Sequence, residues 1–142
     1  MSRCLEVGKF YHSLPGSPSI SSALFHPLGQ HSTSLLILTE DSTLREYTLH
    51  ESSIEPSQTL SFLRDDEMRK GKGFSAEDEG EREAVGMCLG DERDQAGWGR
   101  LTLYAVMRNG DIRSLCPFLP KRTYVSLSLS LFSYLLSRAR SD

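Results

Sequence analysis

The chain has 142 residues, 38% of them hydrophobic and 25% charged, which is typical of a soluble globular domain. A formal net charge of −3 is too small to indicate nucleic-acid binding through a general electrostatic field. Three scattered cysteines without a Cys-x-x-Cys pair favour reduced thiols in a cytosolic or nuclear protein. No signal-peptide core is recognisable, and no apolar run reaches the roughly 20 residues of a membrane span. We therefore expect a soluble protein.

In chain order, the first part of the sequence predicts one small β-sheet. Residues 1–22 form an N-terminal segment, with a short strand within 1–10 and then a Pro- and Gly-containing loop. Short apolar or alternating runs, bounded by polar turns and by prolines, follow this segment. The strands predicted from these runs are Ser22–His26, Leu35–Thr39, Thr43–Leu49 and Gln58–Leu63.

Residues 64–83 differ in kind from the rest of the chain. They hold eight acidic and five basic side chains, and this difference of three equals the net charge of the whole chain. With so few apolar residues, the stretch cannot bury enough surface to order itself. We predict a disordered, solvated insertion, with a docking peptide centred on Phe74 as the alternative.

The second half of the chain predicts another group of strands. Ala84–Leu89 is an inner strand, and a loop with the only tryptophan, Trp98, between two glycines follows it. Leu101–Cys116 then forms a hairpin, because alternating residues flank Asn109-Gly110, the strongest signal for a type I′ turn. Trp98 is interpreted as a side chain that folds back over the sheet, or alternatively as a partner contact, since tryptophan is enriched at binding hot spots.

The two halves repeat one another. Placing Asp41 on Asn109 also places Leu44 on Ile112 and Arg45 on Arg113, and upstream Ala23 aligns with Ala84. Repetition of a several-strand unit is the sequence mark of a propeller. The predicted fold is all-β: a partial β-propeller of about two WD40-like blades, residues 23–63 and 84–120.

Residues 121–142 end the chain with a Ser-Leu repetition. Such a repetition resembles low-complexity sequence more than a strand with varied packing partners. One hypothesis is that this tail is not native to the domain.

No catalytic or metal-binding pattern emerges. His26 and His31 are close in sequence, but no Cys or carboxylate stands near them at ligand spacing. Neither a Gly-x-Ser-x-Gly elbow nor a His-Glu-x-x-His motif occurs. We predict no enzymatic activity, no catalytic, cofactor or metal site, and neither nucleic acid, membrane nor small-molecule substrate as a direct partner. The weak candidates for partner binding are Trp98 and Phe74.

Several short motifs, in order, resemble one family. They are Phe25-His26-Pro27-Leu28-Gly29, Leu101-Thr102-Leu103-Tyr104, Asn109-Gly110-Asp111-Ile112 and Cys116-Pro117-Phe118-Leu119-Pro120. Together they resemble the N-terminal propeller of nucleoporin eighty-eight of animals and its fungal counterpart, nucleoporin eighty-two, over residues 23–121.

The resemblance implies a structural nucleoporin at the cytoplasmic side of the nuclear pore complex. Such proteins hold other nucleoporins and support mRNA export and protein transport. The family propeller has seven blades followed by coiled coils, whereas this chain supplies about two blades, which leaves sheet faces open to water. The alternatives are a generic propeller interaction module of another cytosolic complex and a propeller hydrolase, for which the inner strands offer no nucleophile beyond Cys88 and His26.

Overall fold

A computed structural model describes residues 2–69, 80–91, 93 and 98–123. Within them lie two short helices, two 3₁₀ turns (Gln30–Ser32 and Gly99–Leu101) and seven strands. The helices are α1 (Lys9–His12) and α2 (Asp65–Arg69). The strands are β1 (Ile20–Phe25), β2 (Ser34–Thr39), β3 (Thr43–Thr48), β4 (Gln58–Ser61), β5 (Ala84–Leu89), β6 (Leu103–Met107) and β7 (Ile112–Leu115).

The strands form two antiparallel sheets, each in chain order. The first sheet has the order β1-β2-β3-β4 and the second sheet has the order β5-β6-β7. The predicted strands match the observed ones to within about two residues at most ends, because alternating and apolar runs carry the period of two that a pleated strand imposes. The all-β prediction is thus confirmed.

Both sheets contain the same hairpin turn at repeat-equivalent positions. The Ser42 N–H donates to the Thr39 carbonyl at 2.9 Å, and the Gly110 N–H donates to the Met107 carbonyl at 3.0 Å. In each turn the preceding side chain, from Asp41 or Asn109, accepts a backbone N–H two residues on, at 3.3 and 2.9 Å. The predicted alignment of the two hairpins is therefore confirmed.

The turn type predicted for Asn109-Gly110 is wrong. A type I′ turn needs a positive φ at both residues, whereas only Gly110, with φ 91°, has one. The loop has three residues, and its last residue takes the left-handed conformation, as Ser42 does in the first sheet with φ 62°. The extra residue makes a bulged hairpin, which requires a positive φ at one position only.

The predicted alignment of Ala23 with Ala84 is also wrong. Ile20 lies opposite Thr39 and Ala84 lies opposite Met107, and these two partners are equivalent in the hairpin repeat. The structural counterpart of Ala84 is therefore Ile20, three residues earlier than the sequence echo indicates. Both strands carry an irregularity immediately after that residue, and such bulges are not visible as sequence identities.

The core of the molecule lies between the two sheets. One face of the first sheet contributes Leu36, Leu38 and Leu44, and one face of the second contributes Leu103, Ala105 and Met107. Phe62, Ala84 and Phe118 complete this cluster. We call the two faces that meet here the inner faces and the opposite ones the outer faces. The inner strands β1 and β5 are adjacent, and the Ser21 hydroxyl donates to the Ala84 carbonyl at 2.6 Å.

Other parts of the chain differ from expectation. Within 1–10 no strand is assigned among the described residues; α1 lies at the end of this stretch instead. In the range predicted to be a disordered insertion, residues 65–69 form α2. An N-terminal capping contact explains this short helix, because the Arg64 N–H donates to the Glu67 carboxylate at 2.8 Å. Residues 70–79 and 124–142, including most of the predicted tail, lie outside the described residues.

Candidate docking surface

The outer face of the second sheet leaves apolar side chains exposed at positions that are buried in the first sheet. Its residues Tyr104, Val106 and Ile112 are 37%, 40% and 70% exposed. The hairpin alignment makes them the counterparts of Leu36, Leu38 and Leu44, which are 0–1% exposed on the inner face of the first sheet. The same repeat positions are thus buried in one sheet and open in the other.

This outer face carries no charged side chain among its described residues. Register places Cys88 and Ser114 beside Tyr104, and Ile112 beside Val106, so all of them share the face. Val85, at the irregularity in β5, adds another exposed apolar side chain. An apolar patch of this kind on a sheet face is typical of an interaction surface.

On the first sheet, residues near the start of the chain cover the β3 part of the corresponding outer face, whereas Ile20 and Phe25 of β1 on the same face are 51% and 57% exposed. Residues 8–12, which we call the N-terminal cap, lie on β3, and Gly8 donates its N–H to the Ser53 carbonyl at 2.7 Å. His12 Nε2 lies 2.9 Å from the Tyr47 hydroxyl, and the Arg45 guanidinium lies 5.2 Å from the centre of the Tyr11 ring. Tyr47 is 0% exposed as a result.

Burial under the cap changes the titration of the groups there. It raises the pKa of Tyr47 to about 12, because the phenolate would lose its hydration. Burial also lowers the pKa of His12, and the nearby Arg45 charge lowers it further. Both groups are therefore neutral at pH 7, so this contact is an uncharged hydrogen bond.

Residues 117–123, which we call the strap, return from the second sheet to the end of the first. The Phe118 N–H donates to the Leu101 carbonyl at 2.7 Å, and the phenyl ring is buried in the core. Farther along, the Lys121 N–H donates to the Glu46 carboxylate at 3.1 and 3.2 Å. That carboxylate is 1% exposed and also accepts hydrogen bonds from Ser34 and Gln58. A buried charge satisfied in this way fixes the strap in place.

A second link between the sheets is the ion pair of Glu67 and Arg113. Two short bonds join them, Nη1 to Oε2 at 2.6 Å and Nη2 to Oε1 at 2.7 Å, and Nη1 also donates to the Phe62 carbonyl at 3.1 Å. The Arg113 hydrogen bond is the main reason that the pKa of Glu67 falls to about 2. The bidentate geometry makes this pair stronger than an ordinary surface pair.

Of the two weak candidates for partner binding, Trp98 lies within the described residues and Phe74 does not. Trp98 is half-buried before the 3₁₀ turn at Gly99–Leu101, and its carbonyl accepts the Thr102 hydroxyl at 2.8 Å. Phe74 lies outside the described residues. Their roles as partner contacts stay predictions. The sequence analysis did not single out Tyr104, Val106 and Ile112. The hairpin repeat could have identified them, because it aligns them with the buried core residues Leu36, Leu38 and Leu44.

The histidines do not assemble into a metal site in the described part of the chain, where no group of three or more potential ligands occurs. His26 is buried against Phe118, and its Nδ1 accepts the Leu28 N–H at 3.1 Å. Burial lowers the pKa of His26 to about 4. His31 instead contacts the His50 ring. No helix in the described ranges is long and apolar enough to cross a membrane.

Repeated antiparallel sheets packed face to face define a partial β-propeller. Residues 2–135 match the model of the nucleoporin NUP82 β-propeller family. The chain therefore belongs to this nucleoporin family, a structural and non-enzymatic class.

Curated relatives and a solved structure agree with the family match. The chain is 30% identical over 120 residues to nucleoporin NUP82 of Chaetomium thermophilum and 30% identical over 109 residues to nucleoporin nup82 of Schizosaccharomyces pombe. These alignments cover 73% and 77% of the chain but 13% of each relative. A similar structure is the Chaetomium thermophilum heterotrimeric Nup82 NTD–Nup159 TAIL–Nup145N APD complex, with a TM-score of 0.66 and 26% identity over 87% of this chain and 26% of that one.

Proposed function

We propose that the chain is a non-enzymatic scaffold and docking module of the nuclear pore complex. It holds other nucleoporins at the cytoplasmic side of the pore and thereby supports mRNA export and protein transport. The observation that carries this proposal is the apolar outer face of the second sheet on a fold of the nucleoporin NUP82 propeller family. The neighbouring solved structure supports it, since a Nup82 N-terminal domain there forms a complex with two other nucleoporins.

In this proposal the two sheets are the two blades predicted over residues 23–63 and 84–120, and the first blade begins with β1 at Ile20, three residues earlier than predicted. In this proposal the described contacts have a structural role, because the strap and the Glu67–Arg113 pair hold the blades together. The buried Glu46 carboxylate accepts hydrogen bonds from Ser34, Gln58 and Lys121, an arrangement that suits a rigid platform for binding better than a reaction centre.

The test is localisation and copurification in Schizosaccharomyces pombe. We expect the tagged full chain to gather at the nuclear rim, to copurify with nucleoporins, and to lie on the cytoplasmic side in immunogold sections. Excess chain should compete with the resident protein for its partners and raise nuclear polyadenylated RNA. A diffuse signal without copurifying nucleoporins would refute the pore role.

A matched pair of variants distinguishes localisation that depends on the fold from nonspecific binding by an unfolded chain. Leu38→Asp places a charge in the core between the sheets, where the native side chain is 0% exposed, and should abolish folding and rim localisation. Thr59→Asp makes the same type of change on an exposed position of β4 and should leave localisation intact. Equal loss in both variants would mean that localisation does not depend on the fold.

A further inference from the structure

The hairpin turn of the second sheet carries the only asparagine of the chain, Asn109, and a glycine follows it. Both residues are exposed, and a Cβ on Gly110 would meet no atom within 4 Å. In water, an asparagine amide is lost when the backbone nitrogen of the following residue attacks the side-chain carbonyl carbon. Because glycine has no side chain to hinder this approach, Asn109 is the position of the chain at which such a reaction meets the least steric resistance.

The folded turn restrains both reacting groups. The Gly110 N–H donates to the Met107 carbonyl at 3.0 Å. Asn109 Oδ1 accepts the Asp111 N–H at 2.9 Å, and Asn109 Nδ2 donates to the Asp111 carboxylate at 3.1 Å. The attacking nitrogen must lose its proton and the side chain must turn toward it, so these hydrogen bonds must break first. The reaction therefore requires the hairpin to open, an event that occurs locally within folded proteins.

The equivalent turn of the first sheet shows what a carboxylate needs at this position. There Asp41 Oδ1 accepts the Thr39 hydroxyl at 2.5 Å and the Thr43 N–H at 3.3 Å. In the second sheet the counterpart of Thr43 is Asp111, whose own carboxylate accepts a hydrogen bond from the Asn109 amide. A carboxylate is therefore compatible with the first turn, whereas in the second turn it would face another negative charge, which is destabilising across a strand pair.

We propose that Asn109 is a site of spontaneous deamidation, which follows opening of the hairpin and weakens the second sheet. The Gly110 nitrogen forms a bond to the side-chain carbonyl carbon of Asn109. The bond from that carbon to Nδ2 breaks, and the amide leaves as ammonia together with the proton of the Gly110 N–H. Water then opens the cyclic imide at one of its two carbonyl carbons, which gives aspartate or isoaspartate. This inference goes beyond the pore role and does not depend on it.

Each of the two products weakens the turn for a different reason. Aspartate at position 109 removes the amide donor and adds a charge beside Asp111. Isoaspartate lengthens the main chain by a methylene group, so β6 and β7 can no longer keep their observed register on both sides of the turn. The modification therefore leaves a lasting chemical record that the second sheet has opened.

The rate of the reaction is measured on the full 142-residue chain at mildly alkaline pH, by peptide mapping with mass spectrometry that separates aspartate from isoaspartate. We expect conversion at Asn109 to be at least tenfold faster in urea than in the folded chain. Gly110→Ala places a methyl group beside the attacking nitrogen and should slow the reaction in urea, where the turn no longer contributes. Circular dichroism confirms that the samples without urea are folded.

The effect of the product is measured on Asn109→Asp, which supplies the aspartate form directly. This variant should have a lower urea midpoint than the native chain. The double variant Asn109→Asp/Asp111→Thr copies the pair of residues in the first turn and should recover most of the loss.

Three outcomes would overturn the proposal. Equal rates with and without urea would show that the folded turn does not restrain the reaction. A chain that keeps its Asn109 amide in urea would show that this position is not a modification site. An unchanged urea midpoint for Asn109→Asp, or a loss that Asp111→Thr does not reduce, would show that the charge beside Asp111 does not weaken the second sheet.

Discussion

The two sheets have the same turn, the same order of strands and the same irregularity in their first strand, but their environments differ. The first sheet is covered on its inner face by the second sheet, and the N-terminal cap covers the β3 part of its outer face. The second sheet is covered on its inner face alone, and its outer residues are exposed in the described structure. The residue choice at equivalent positions is apolar in both sheets. The repeat therefore determines which positions of a sheet are apolar, whereas the neighbouring segments of the chain determine which of these positions are buried.

The largest difference between the sheets should appear on truncation of equivalent core positions. Leu38→Ala removes a fully buried side chain and should lower the free energy of unfolding by about 2–5 kcal/mol. Val106→Ala, at the counterpart position, should change it by less than about 0.5 kcal/mol, because that side chain is already 40% exposed in the folded chain. Urea denaturation at low protein concentration measures both. Equal losses would refute the comparison.

His26, whose ring packs against Phe118 of the strap, should make the stability of the chain depend on pH. His26 has its pKa lowered to about 4 from an ordinary 6.5, so the folded state prefers the neutral ring. As pH falls from 6.5 to 4, the unfolded state binds a proton that the folded state does not. Stability should then fall by up to about 3 kcal/mol. His26→Asn should flatten this part of a denaturation-against-pH profile, and an unchanged slope would contradict the assignment.

Arg45 and Arg113 occupy equivalent positions in the two sheets, and each contacts a residue outside its own sheet. Arg113 is held by Glu67, so Arg113→Ala should cost about 1–3 kcal/mol. Arg45 contacts an aromatic ring instead, and Arg45→Ala should cost about 0.5–1 kcal/mol. Thermal unfolding of both variants measures which one loses more stability. A larger loss of stability for Arg45→Ala would contradict our interpretation.

The Glu67–Arg113 ion pair should make a contribution to folding stability that is lost in acid. Because the pKa of Glu67 is lowered to about 2, its contribution is present above an unfolded value near 4.5 and is lost as pH falls toward 2. The Glu67→Gln variant should lack this component. Parallel profiles for the native chain and the variant below pH 4.5 would contradict the contact.

The smallest effect is expected at the hairpin turns. Gly110→Ala places a Cβ on a residue with φ 91°, and it should cost about 1 kcal/mol because of backbone strain alone, since the Cβ meets no atom within 4 Å. Ser42 has a similar φ of 62°, and its hydroxyl donates to the Arg82 carbonyl. Ser42→Gly should therefore exchange relief of strain for a lost hydrogen bond, with little net change. A loss for Ser42→Gly larger than that for Gly110→Ala would overturn this ranking.

Sequence reasoning succeeded where the controlling interactions are local. The strand runs and the turn positions follow from alternation and from residues that tolerate a positive φ, such as Gly110. It failed at the turn type and at the alignment of Ala23 with Ala84, because a bulge inserts a residue without leaving an identity to detect. It also assigned no order to residues 65–69, whose partner Arg113 is distant in sequence.

By itself, the sequence determined the all-β class, the two-fold repetition and the kinship with one nucleoporin family, since these depend on periodicity and on ordered short motifs. Only the tertiary structure decided which faces are covered. The inner faces bury each other, the cap covers β3 on the outer face of the first sheet, and Glu46 accepts the Lys121 N–H of the strap, which lies more than seventy positions away in the chain. The physical reason is that burial depends on contacts between segments that are distant in sequence. The alternating pattern of a strand shows which residues share a face, but not which face is covered.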